Sequence, residues 1–269
     1  MPSRVGIEGS LAVVTGAGSG IGRATACALG RLGARVVAVD VDGPAAKSVA
    51  NEIGGDAREV DVADRDAVMS LAAEVLAEHG TPDVLVNNAG VGLTGRFLDT
   101  TPDDWAWILG VNLGGVVHGC QAFGPAMLER GRGHVVNVSS GLAYAPRATE
   151  PAYVTTKAAV LALTQCLRAD WAPKGVGVSA VCPGVIATAI VSSARFRGER
   201  ASAESMARIR RAFARGHRPE TVADAIVDAI VRDRPVVAVG IEARIGWMLR
   251  GVVPARLAER AARASVGGL

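Results

Sequence analysis

Tyr153 and Lys157 stand four residues apart in the segment YVTTK. On an α-helix this spacing places both side chains on one face. An ammonium group beside a phenol favours the phenolate, and so lowers the phenol pKa from about 10 toward neutrality. A tyrosine altered in this way can give and take a proton near pH 7, as a general acid and base does. The alternative is an ordinary surface pair, but the chain has only two tyrosines and three lysines, so a chance pairing is rare.

A hydroxyl and an amide could complete a site around this pair. Ser140 lies 13 residues before Tyr153 and could hydrogen-bond the same substrate oxygen, but Ser139 is equally placed by spacing alone. A nucleophilic serine is not expected, because the chain has no GxSxG elbow and its histidines are scattered. Asn112 lies in an uncharged run, where a buried amide must be satisfied. We predict that Asn112 bends its helix and holds a water that reaches Lys157; a satisfied core asparagine is the alternative.

The segment TGAGSGIG, residues 15–22, lies between a predicted strand and a predicted helix. Its spacing fits TGxxxGxG and not GxGxxG, because Ile21 and Arg23 occupy the wrong positions for the latter. Glycines let a backbone approach a pyrophosphate, and a helix N-terminus offers free N–H groups. No lysine follows a glycine, which excludes a P-loop. A purely structural glycine turn is the alternative. The candidate binding residues are Gly16, Ser19, Gly20, Ile21 and Gly22.

Asp40 ends the second predicted strand, 18 residues after Gly22. A carboxylate there can accept hydrogen bonds from the adenosine ribose and repel a 2′-phosphate. This favours NAD, although the nearby Arg23 and Arg35 leave NADP open. The alternative is an ordinary exposed loop carboxylate.

The elements that must position these residues alternate between strands and helices. Runs such as LAVVT and HVVNVS are continuously apolar, which indicates burial on both faces of a parallel sheet. The predicted strands are 11–15, 35–40, 57–60, 83–87, 134–139, 176–182 and 236–239. The predicted helices are near 20–32, 44–53, 64–79, 102–129, 152–173 and 219–232. Repeated strand–helix units predict a single doubly wound α/β domain, in which ligands bind beyond the carboxyl ends of the strands.

Composition excludes several classes of protein. Apolar residues make up 49% and charged residues 20% of the 269 residues, which excludes a disordered chain. The uncharged run 105–128 contains too many polar residues for a membrane span and predicts a buried helix. The first ten residues lack an apolar signal core, so we expect a cytoplasmic protein. The four cysteines have no metal-ligand spacing, and we expect them to be buried apolar side chains without a bound metal.

The net charge of +3 is unevenly distributed. Residues 189–217 carry seven Arg and two Glu, residues 241–269 carry five Arg and two Glu, and the rest of the chain is therefore at −5. This is not the distribution of a nucleic-acid-binding protein.

Taken together, the motifs resemble those of the short-chain dehydrogenase/reductase family, over residues 8 to about 240. The resemblance depends on TGAGSGIG, Asp61-Val62, NNAG at 87–90, Asn112, Ser140, YVTTK and PGVIAT at 183–188. It implies a Rossmann-like, seven-stranded parallel sheet with helices on both faces, and a nicotinamide cofactor. It also implies a catalytic tetrad, with the 13-residue spacing favouring the second serine: Asn112, Ser140, Tyr153 and Lys157.

The resemblance also implies roles for residues around the cofactor. Asp61 and the backbone of Val62 would meet the adenine, and Lys157 would also hold the nicotinamide ribose. The Ile186 backbone and Thr188 would hold the carboxamide and a phosphate. The remaining implied cofactor positions are Asn88, Ala89, Gly90, Pro183 and Gly184.

Two segments depart from a minimal family member. Residues 189–217 lie where the family places a substrate lid; a lid over an apolar substrate with an acidic group and a solvated mobile helix are equally compatible with the sequence. In the tail, 241–269, an apolar stripe at helical spacing runs from Ile241 to Val253. We expect the tail to pack on the core or on a partner subunit, with an anionic membrane surface as the alternative.

The sequence therefore predicts an NAD-dependent oxidoreductase that interconverts a hydrophobic secondary alcohol and its ketone. The alternatives are an NADPH-dependent ketone or 3-oxoacyl reductase and a non-catalytic dinucleotide-binding scaffold or sensor. The resemblance also implies a homodimer or homotetramer, because helices such as 102–129 and 152–173 often pair between subunits in this family, and the low charge of both segments fits such pairing.

Overall fold

The computed structural model describes residues 5–264, and a seven-stranded sheet lies at its centre. Every neighbouring pair of strands is parallel, in the order β3-β2-β1-β4-β6-β7-β9. Two short strands, β5 and β8, pair separately. The strands are β1 Leu11–Thr15, β2 Arg35–Asp40, β3 Asp56–Glu59, β4 Val84–Asn87, β5 Leu93–Thr94, β6 Gly133–Val138, β7 Val176–Pro183, β8 Arg195–Phe196 and β9 Val236–Val239.

Eleven α-helices are described in this part of the chain. They are α1 Gly20–Arg31, α2 Gly43–Ile53, α3 Arg65–His79, α4 Pro102–Leu109, α5 Gly115–Arg130, α6 Pro151–Trp171, α7 Ile190–Ser193, α8 Ala203–Ala214, α9 Pro219–Arg232, α10 Ile241–Leu249 and α11 Ala255–Ala264.

Side chains of β1 alternate between two cores. Ala12 and Val14 pack in the core beneath α1, α2 and α9, whereas Leu11 and Val13 pack in the core beneath α3, α5 and α6. The sheet is thus covered on both faces, which explains its continuously apolar strands. The predicted doubly wound, seven-stranded fold is confirmed.

The strand order reverses at β1, which pairs with β2 on one side and β4 on the other. Connections leave the sheet in opposite directions at such a point, and a crevice opens at the carboxyl ends of the strands. The structure thus provides one edge at which residues from distant parts of the sequence can meet.

The predicted helix 102–129 is interrupted. A π-helical turn over Gly110–Gly114 separates α4 from α5 and contains Asn112. Turns of this kind are a common cause of helix bends, and the bend that we predicted at Asn112 stays a prediction. No helix within residues 5–264 is long and apolar enough to cross a bilayer.

The prediction that all four cysteines are buried is wrong for Cys166, which is exposed on α6. Its position on the helix faces away from the sheet, so it is not part of the core. Among the described residues, no group of three or more His, Cys, Asp or Glu side chains could hold a metal ion.

The apolar stripe of the tail does not form one helix, contrary to our prediction. α10 ends at Leu249, and Val252 and Val253 lie in the turn before α11. Gly251 and Pro254 explain the break, because glycine weakens a helix and proline disfavours helical backbone in the preceding residue. The tail does pack on its own chain, but through Ala243 and Trp247 instead of the stripe.

Candidate active site

Two glycines of the turn between β1 and α1 have no room for a side chain. Gly16 has a φ of +65°, and a Cβ there would lie 2.8 Å from the Ala89 Cα. A Cβ on Gly22 would lie 1.9 Å from the Gly16 carbonyl oxygen. Both positions therefore require glycine for the close packing of the turn against the first helix. The first turn of α1 holds no acidic residue, and the exposed Ser19 side chain makes no capping hydrogen bond. An uncapped, positively polarised helix end is suited to bind a phosphate.

Asn88 and Ala89 are held against this turn by hydrogen bonds. The backbone N–H groups of Asn88 and Ala89 donate to the Thr15 hydroxyl over 3.0 and 3.1 Å. The Asn88 side chain donates to the Thr15 carbonyl over 2.9 Å. Asn88 therefore braces the turn. Thr15 is a positioning residue that we placed in the TGAGSGIG motif but not among the candidate binding residues.

The Asp40 carboxylate lies within hydrogen-bond distance of the glycine-rich turn. It accepts hydrogen bonds from the Gly18 N–H over 2.8 Å and from the Asp42 N–H over 3.0 Å. Arg23, on α1, pairs with Glu52 over 2.6 Å. Arg35 begins β2, so it stands about 16 Å along the strand from Asp40. Arg23 is thus paired with a carboxylate, and Arg35 lies at the opposite end of β2 from Asp40.

The other predicted cofactor positions lie along the same edge. Asp61 is exposed after β3 and accepts from the Ala63 N–H over 2.9 Å. The side chains of Val62 and Ile186 are buried, at 7% and 3% exposure, so only their backbones can reach a ligand. A Cβ on Gly20 would lie 3.2 Å from the Thr188 side chain, which places Thr188 directly against the glycine turn. Pro183 and Gly184 end β7 and begin the loop to Thr188.

Tyr153 and Lys157 lie on the first turns of α6, which begins at Pro151. Lys157 is 4% exposed, and its Nζ donates to the Val138 carbonyl over 3.0 Å. This Nζ lies 5.9 Å from the centre of the Tyr153 ring. A Cβ on Gly90 would lie 3.4 Å from the same nitrogen, so Gly90 leaves space beside it.

Burial is the largest cause of the pKa shifts of Tyr153 and Lys157. It raises the pKa of Tyr153 to about 12, although a hydrogen bond with Ser140 acts in the opposite direction. It lowers the pKa of Lys157 to about 8, so the ammonium form still predominates at pH 7. The residues of the chain alone therefore do not lower the phenol pKa, contrary to what we expected from the Tyr–Lys spacing. Further positive charge beside the phenol oxygen is needed for that effect.

The structure separates the two serines that spacing could not separate. Ser139 Oγ donates to the Lys157 carbonyl over 2.7 Å and is buried. Ser140 lines the same cavity as Tyr153, and its Oγ accepts from the Leu142 N–H over 3.1 Å. The hydroxyl of Ser140 can donate a hydrogen bond to a ligand, whereas the hydroxyl of Ser139 already donates to a backbone carbonyl of α6.

We expect Ser140→Ala to lower kcat/KM for an alcohol substrate about 10²-fold, because one donor to the reacting oxygen is lost. Ser139→Ala is the matched control. It removes a structural hydrogen bond and should lower the free energy of unfolding by about 1 kcal/mol with little change in turnover. Steady-state kinetics and denaturant unfolding of both variants check this. Loss of turnover in the Ser139 variant alone would reverse the assignment.

Asn112 is fully buried, and its side chain is satisfied. Its Oδ1 accepts from the Val91 N–H over 2.8 Å, and its Nδ2 donates to the Val91 carbonyl over 3.0 Å and to Thr156 over 3.2 Å. The side chain thus fastens the loop after β4 to α6. A water held at this position would have to be bound by the backbone, and the predicted water path stays a prediction.

A cavity of about 650 Å³ opens in front of Tyr153 and Ser140. Apolar residues of the lid segment, 189–217, line it from the other side, together with Leu93 and Leu142. The apolar lid residues that face the cavity are Ile190, Val191, Ala194, Phe196, Ile209, Ala212 and Phe213. The lid helix α8 has no buried residue, so it covers the cavity from the solvent side.

The first part of the lid is fastened to the body of the domain. β8 pairs with β5, and Asp104 on α4 accepts hydrogen bonds from Arg197 over 2.7 and 2.8 Å and from Arg195 over 3.2 Å. The hydrogen bonds from Arg197 hold the pKa of the 1%-exposed Asp104 well below its usual value. The Arg195 guanidinium also stacks 3.9 Å from the Trp107 ring. Asp104 and the two arginines are about 90 residues apart in the sequence, so no local motif predicts this group.

Glu242 and His217 also reach the site and were not predicted. Glu242, on α10, accepts from the Val185 N–H over 2.9 Å and lies 3.2 Å from His217 Nε2. The His217 N–H donates to the Val185 carbonyl, and the His217 carbonyl accepts from the Ala187 N–H, each over 2.9 Å. The loop after β7 is therefore held by two segments distant in sequence. No local motif marks either residue.

A parallel sheet with a glycine turn at its reversal point defines a nucleotide-binding α/β protein. The model of the family described as short chain dehydrogenase matches residues 10–197. The chain belongs to the short-chain dehydrogenase/reductase family of oxidoreductases, and it is an enzyme of the class that uses NAD or NADP.

The chain is also similar to named oxidoreductases and to solved structures of this family. Probable oxidoreductase EphD of Mycobacterium tuberculosis is 47% identical over 259 residues, which are 92% of this chain and 44% of that protein. The chain thus spans less than half the length of this relative. D-threitol dehydrogenase of Mycolicibacterium smegmatis is 39% identical over 187 residues, covering 68% of this chain and 72% of that one. A short-chain dehydrogenase/reductase of Burkholderia phymatum in complex with NAD superposes with a TM-score of 0.84 at 30% identity, covering 98% and 99% of the two chains.

Proposed function

We propose that this enzyme transfers hydride between NAD and a hydrophobic secondary alcohol or its ketone, with Tyr153 as the general acid and base. The observation that carries the proposal is the shared cavity of Tyr153 and Ser140, with the Lys157 ammonium buried one helical turn away. A proton-transferring phenol, a donor to the substrate oxygen and a fixed cation are the groups that this chemistry requires.

Tyr153, Ser140 and Lys157 each have a separate role in the proposed reaction. The Tyr153 oxygen removes the hydroxyl proton of the alcohol in one direction and returns it to the carbonyl oxygen in the other. Ser140 donates a hydrogen bond to that oxygen and orients the substrate. Lys157 is held by the Val138 carbonyl, and its charge would favour the phenolate together with the positive charge of the bound oxidised dinucleotide. When bound, the dinucleotide accepts or supplies the hydride, and its oxidised ring is positively charged.

The crevice fits a dinucleotide with an unmodified adenosine ribose. The glycine turn leaves no side chain between α1 and a pyrophosphate, and Ser19 has a hydroxyl free of capping bonds. Asp40 is a carboxylate where a 2′-phosphate would lie, and Arg23 is paired with Glu52. These contacts favour NAD over NADP. The NADPH-dependent reductase therefore remains the weaker alternative.

The lining of the cavity supports the substrate class. Leu93, Phe196, Ile209 and Phe213 offer apolar surface to the body of a substrate. Arginines also line the cavity, so a negatively charged group on the substrate would meet opposite charge there. These are Arg147, Arg200 and Arg215. A steroid-, terpenoid- or lipid-like alcohol has the required apolar surface.

The proposal is tested by incubating the full chain with NAD and a panel of secondary alcohols. NADH formation, measured by absorbance at several pH values, should be greatest for large apolar alcohols. NAD binding is measured separately by calorimetry. Binding of NAD without turnover of any alcohol, and of NADH without turnover of any ketone, would instead support a non-catalytic nucleotide sensor.

We also propose a homodimer or homotetramer that pairs through residues 102–129 and 152–173. Exposed positions of α6 in this stretch include the uncharged Ala162, Gln165 and Cys166, which suits a contact between copies. Light scattering after size exclusion measures the assembly. A cytoplasmic location stays a prediction from the sequence.

A further inference from the structure

Large apolar side chains are concentrated on the outside of the C-terminal helices. Seven of them are exposed between residues 241 and 257, which we call the tail face. Elsewhere in residues 5–264, six exposed large apolar side chains are scattered over the surface. The tail face consists of Ile241 (66% exposed), Ile245 (49%), Met248 (75%), Leu249 (44%), Val252 (71%), Val253 (37%) and Leu257 (52%). A concentration of this kind indicates an interaction surface.

The contacts of α10 with its own chain are made by its other side. Ala243 is 2% exposed, and its carbonyl accepts the Tyr144 hydroxyl over 2.8 Å. Trp247 packs edge-on against the Tyr144 ring at 5.4 Å, and Glu242 accepts from the Val185 N–H. α10 is thus fixed to the domain through its other side, and the tail face is exposed on the surface of the chain.

Positive charge surrounds the tail face. Residues 241–263 carry five arginines and two glutamates. Glu242 is engaged by His217, and Glu259 forms an ion pair with Arg263. Among the described residues, Arg256 and Arg260 have no carboxylate partner. The surroundings of the apolar row are therefore cationic and available to an anion.

We propose that the tail face binds the surface of an anionic phospholipid bilayer. The apolar row of α10 and the following turn would enter the boundary between headgroups and acyl chains, while the arginines would meet lipid phosphates. A second copy of the chain is a poorer partner. A two-fold contact joins the same patch of both copies and would bring their arginines together with few free carboxylates to offset them.

Sedimentation of the full chain with vesicles tests the proposal. One set of vesicles contains phosphatidylcholine alone, and the other contains 30% phosphatidylserine. We expect at least 10-fold stronger binding to the anionic vesicles and weaker binding as the salt concentration rises, since salt screens the attraction. The double variants Met248→Glu/Val252→Glu and Arg256→Glu/Arg260→Glu should each weaken binding at least 10-fold without changing the melting temperature.

Leu98→Glu is the matched control, because Leu98 is 91% exposed outside the tail face. It should bind vesicles like the unaltered chain. Equal binding to both kinds of vesicle, or no binding to either, overturns the proposal. Dissociation of an oligomer by Met248→Glu/Val252→Glu in the absence of lipid, measured by light scattering, also overturns it and assigns the face to a contact between copies.

Discussion

Tyr153→Phe should lower turnover of a secondary alcohol by about 10³-fold or more while the dissociation constant for NAD stays within a few-fold of its original value. The substitution removes the oxygen that exchanges a proton with the substrate and keeps the ring that packs in the cavity wall. Loss of a general acid and base typically costs between about 10² and 10⁴ in rate. Single-turnover kinetics and calorimetric NAD binding measure the two quantities separately.

The chain provides its own control in Tyr144, the other tyrosine. Its hydroxyl donates to the Ala243 carbonyl over 2.8 Å and is not part of the cavity wall. Tyr144→Phe should therefore reduce stability by about 1 kcal/mol and leave turnover intact. Alcohol oxidation by the unaltered enzyme should also rise with pH, since the phenolate is the active base. A Tyr153→Phe enzyme that turns over at the original rate would exclude our assignment.

Asp40→Ser should lower the preference for NAD over NADP by about 10²-fold. The carboxylate can accept hydrogen bonds from the ribose hydroxyls of NAD, and bonds to a charged group contribute about 1.5–3 kcal/mol each. The same charge repels the 2′-phosphate of NADP, and the neutral serine removes that repulsion. The ratio of kcat/KM for the two dinucleotides gives the result directly.

Asp42→Ser is the matched control for this experiment. Asp42 lies two residues further on and caps α2 by accepting from the Ala45 N–H over 2.9 Å, whereas Asp40 accepts from Gly18 in the glycine turn. Serine is also a good N-cap residue, so the helix should keep most of its stability. The preference for NAD should change little. If both variants shift the preference equally, the effect comes from the net charge of the loop, not from a contact made by Asp40.

Much of the fold could be predicted because its determinants are local. All seven strands of the central sheet were located to within one residue. Inner strands such as β1 and β6 were marked by continuously apolar runs, since burial on both faces requires such runs. The edge strand β3 is polar and partly exposed, and was located by its place in the alternation of strands and helices. The π-helical turn at Gly110–Gly114 was not predicted: the uncharged run indicated one continuous helix, and Asn112 indicated only a bend in it. The tail was different. Periodicity predicted one helical stripe that packs on the core or on a partner subunit, but Gly251 and Pro254 break the helix, and the stripe is exposed on the surface of the chain.

The candidate site was predictable where one motif carries its chemistry, as in YVTTK. The site was not predictable where its geometry depends on the direction of a side chain or on a contact between residues far apart in the sequence. Ser139 and Ser140 are indistinguishable by spacing, yet successive side chains at the end of a strand point to opposite sides. Glu242 accepts a hydrogen bond from the Val185 N–H, although Val185 lies 57 residues earlier in the chain. No motif near Glu242 predicts this contact.

The lid is held to the rest of the domain at two places. This has a consequence for which changes of lid length the enzyme can tolerate in evolution. At one end Arg195 and Phe196 pair with β5, and at the other the backbone of His217 pairs with the loop after β7. The ends of the segment between them are held together by the rest of the domain whatever its length. Doubling the length of a flexible loop adds only about 0.6 kcal/mol of closure entropy. Insertions and deletions in 198–216 should therefore be tolerated by the sheet, so that new substrate ranges can evolve there while the nucleotide crevice is inherited unchanged.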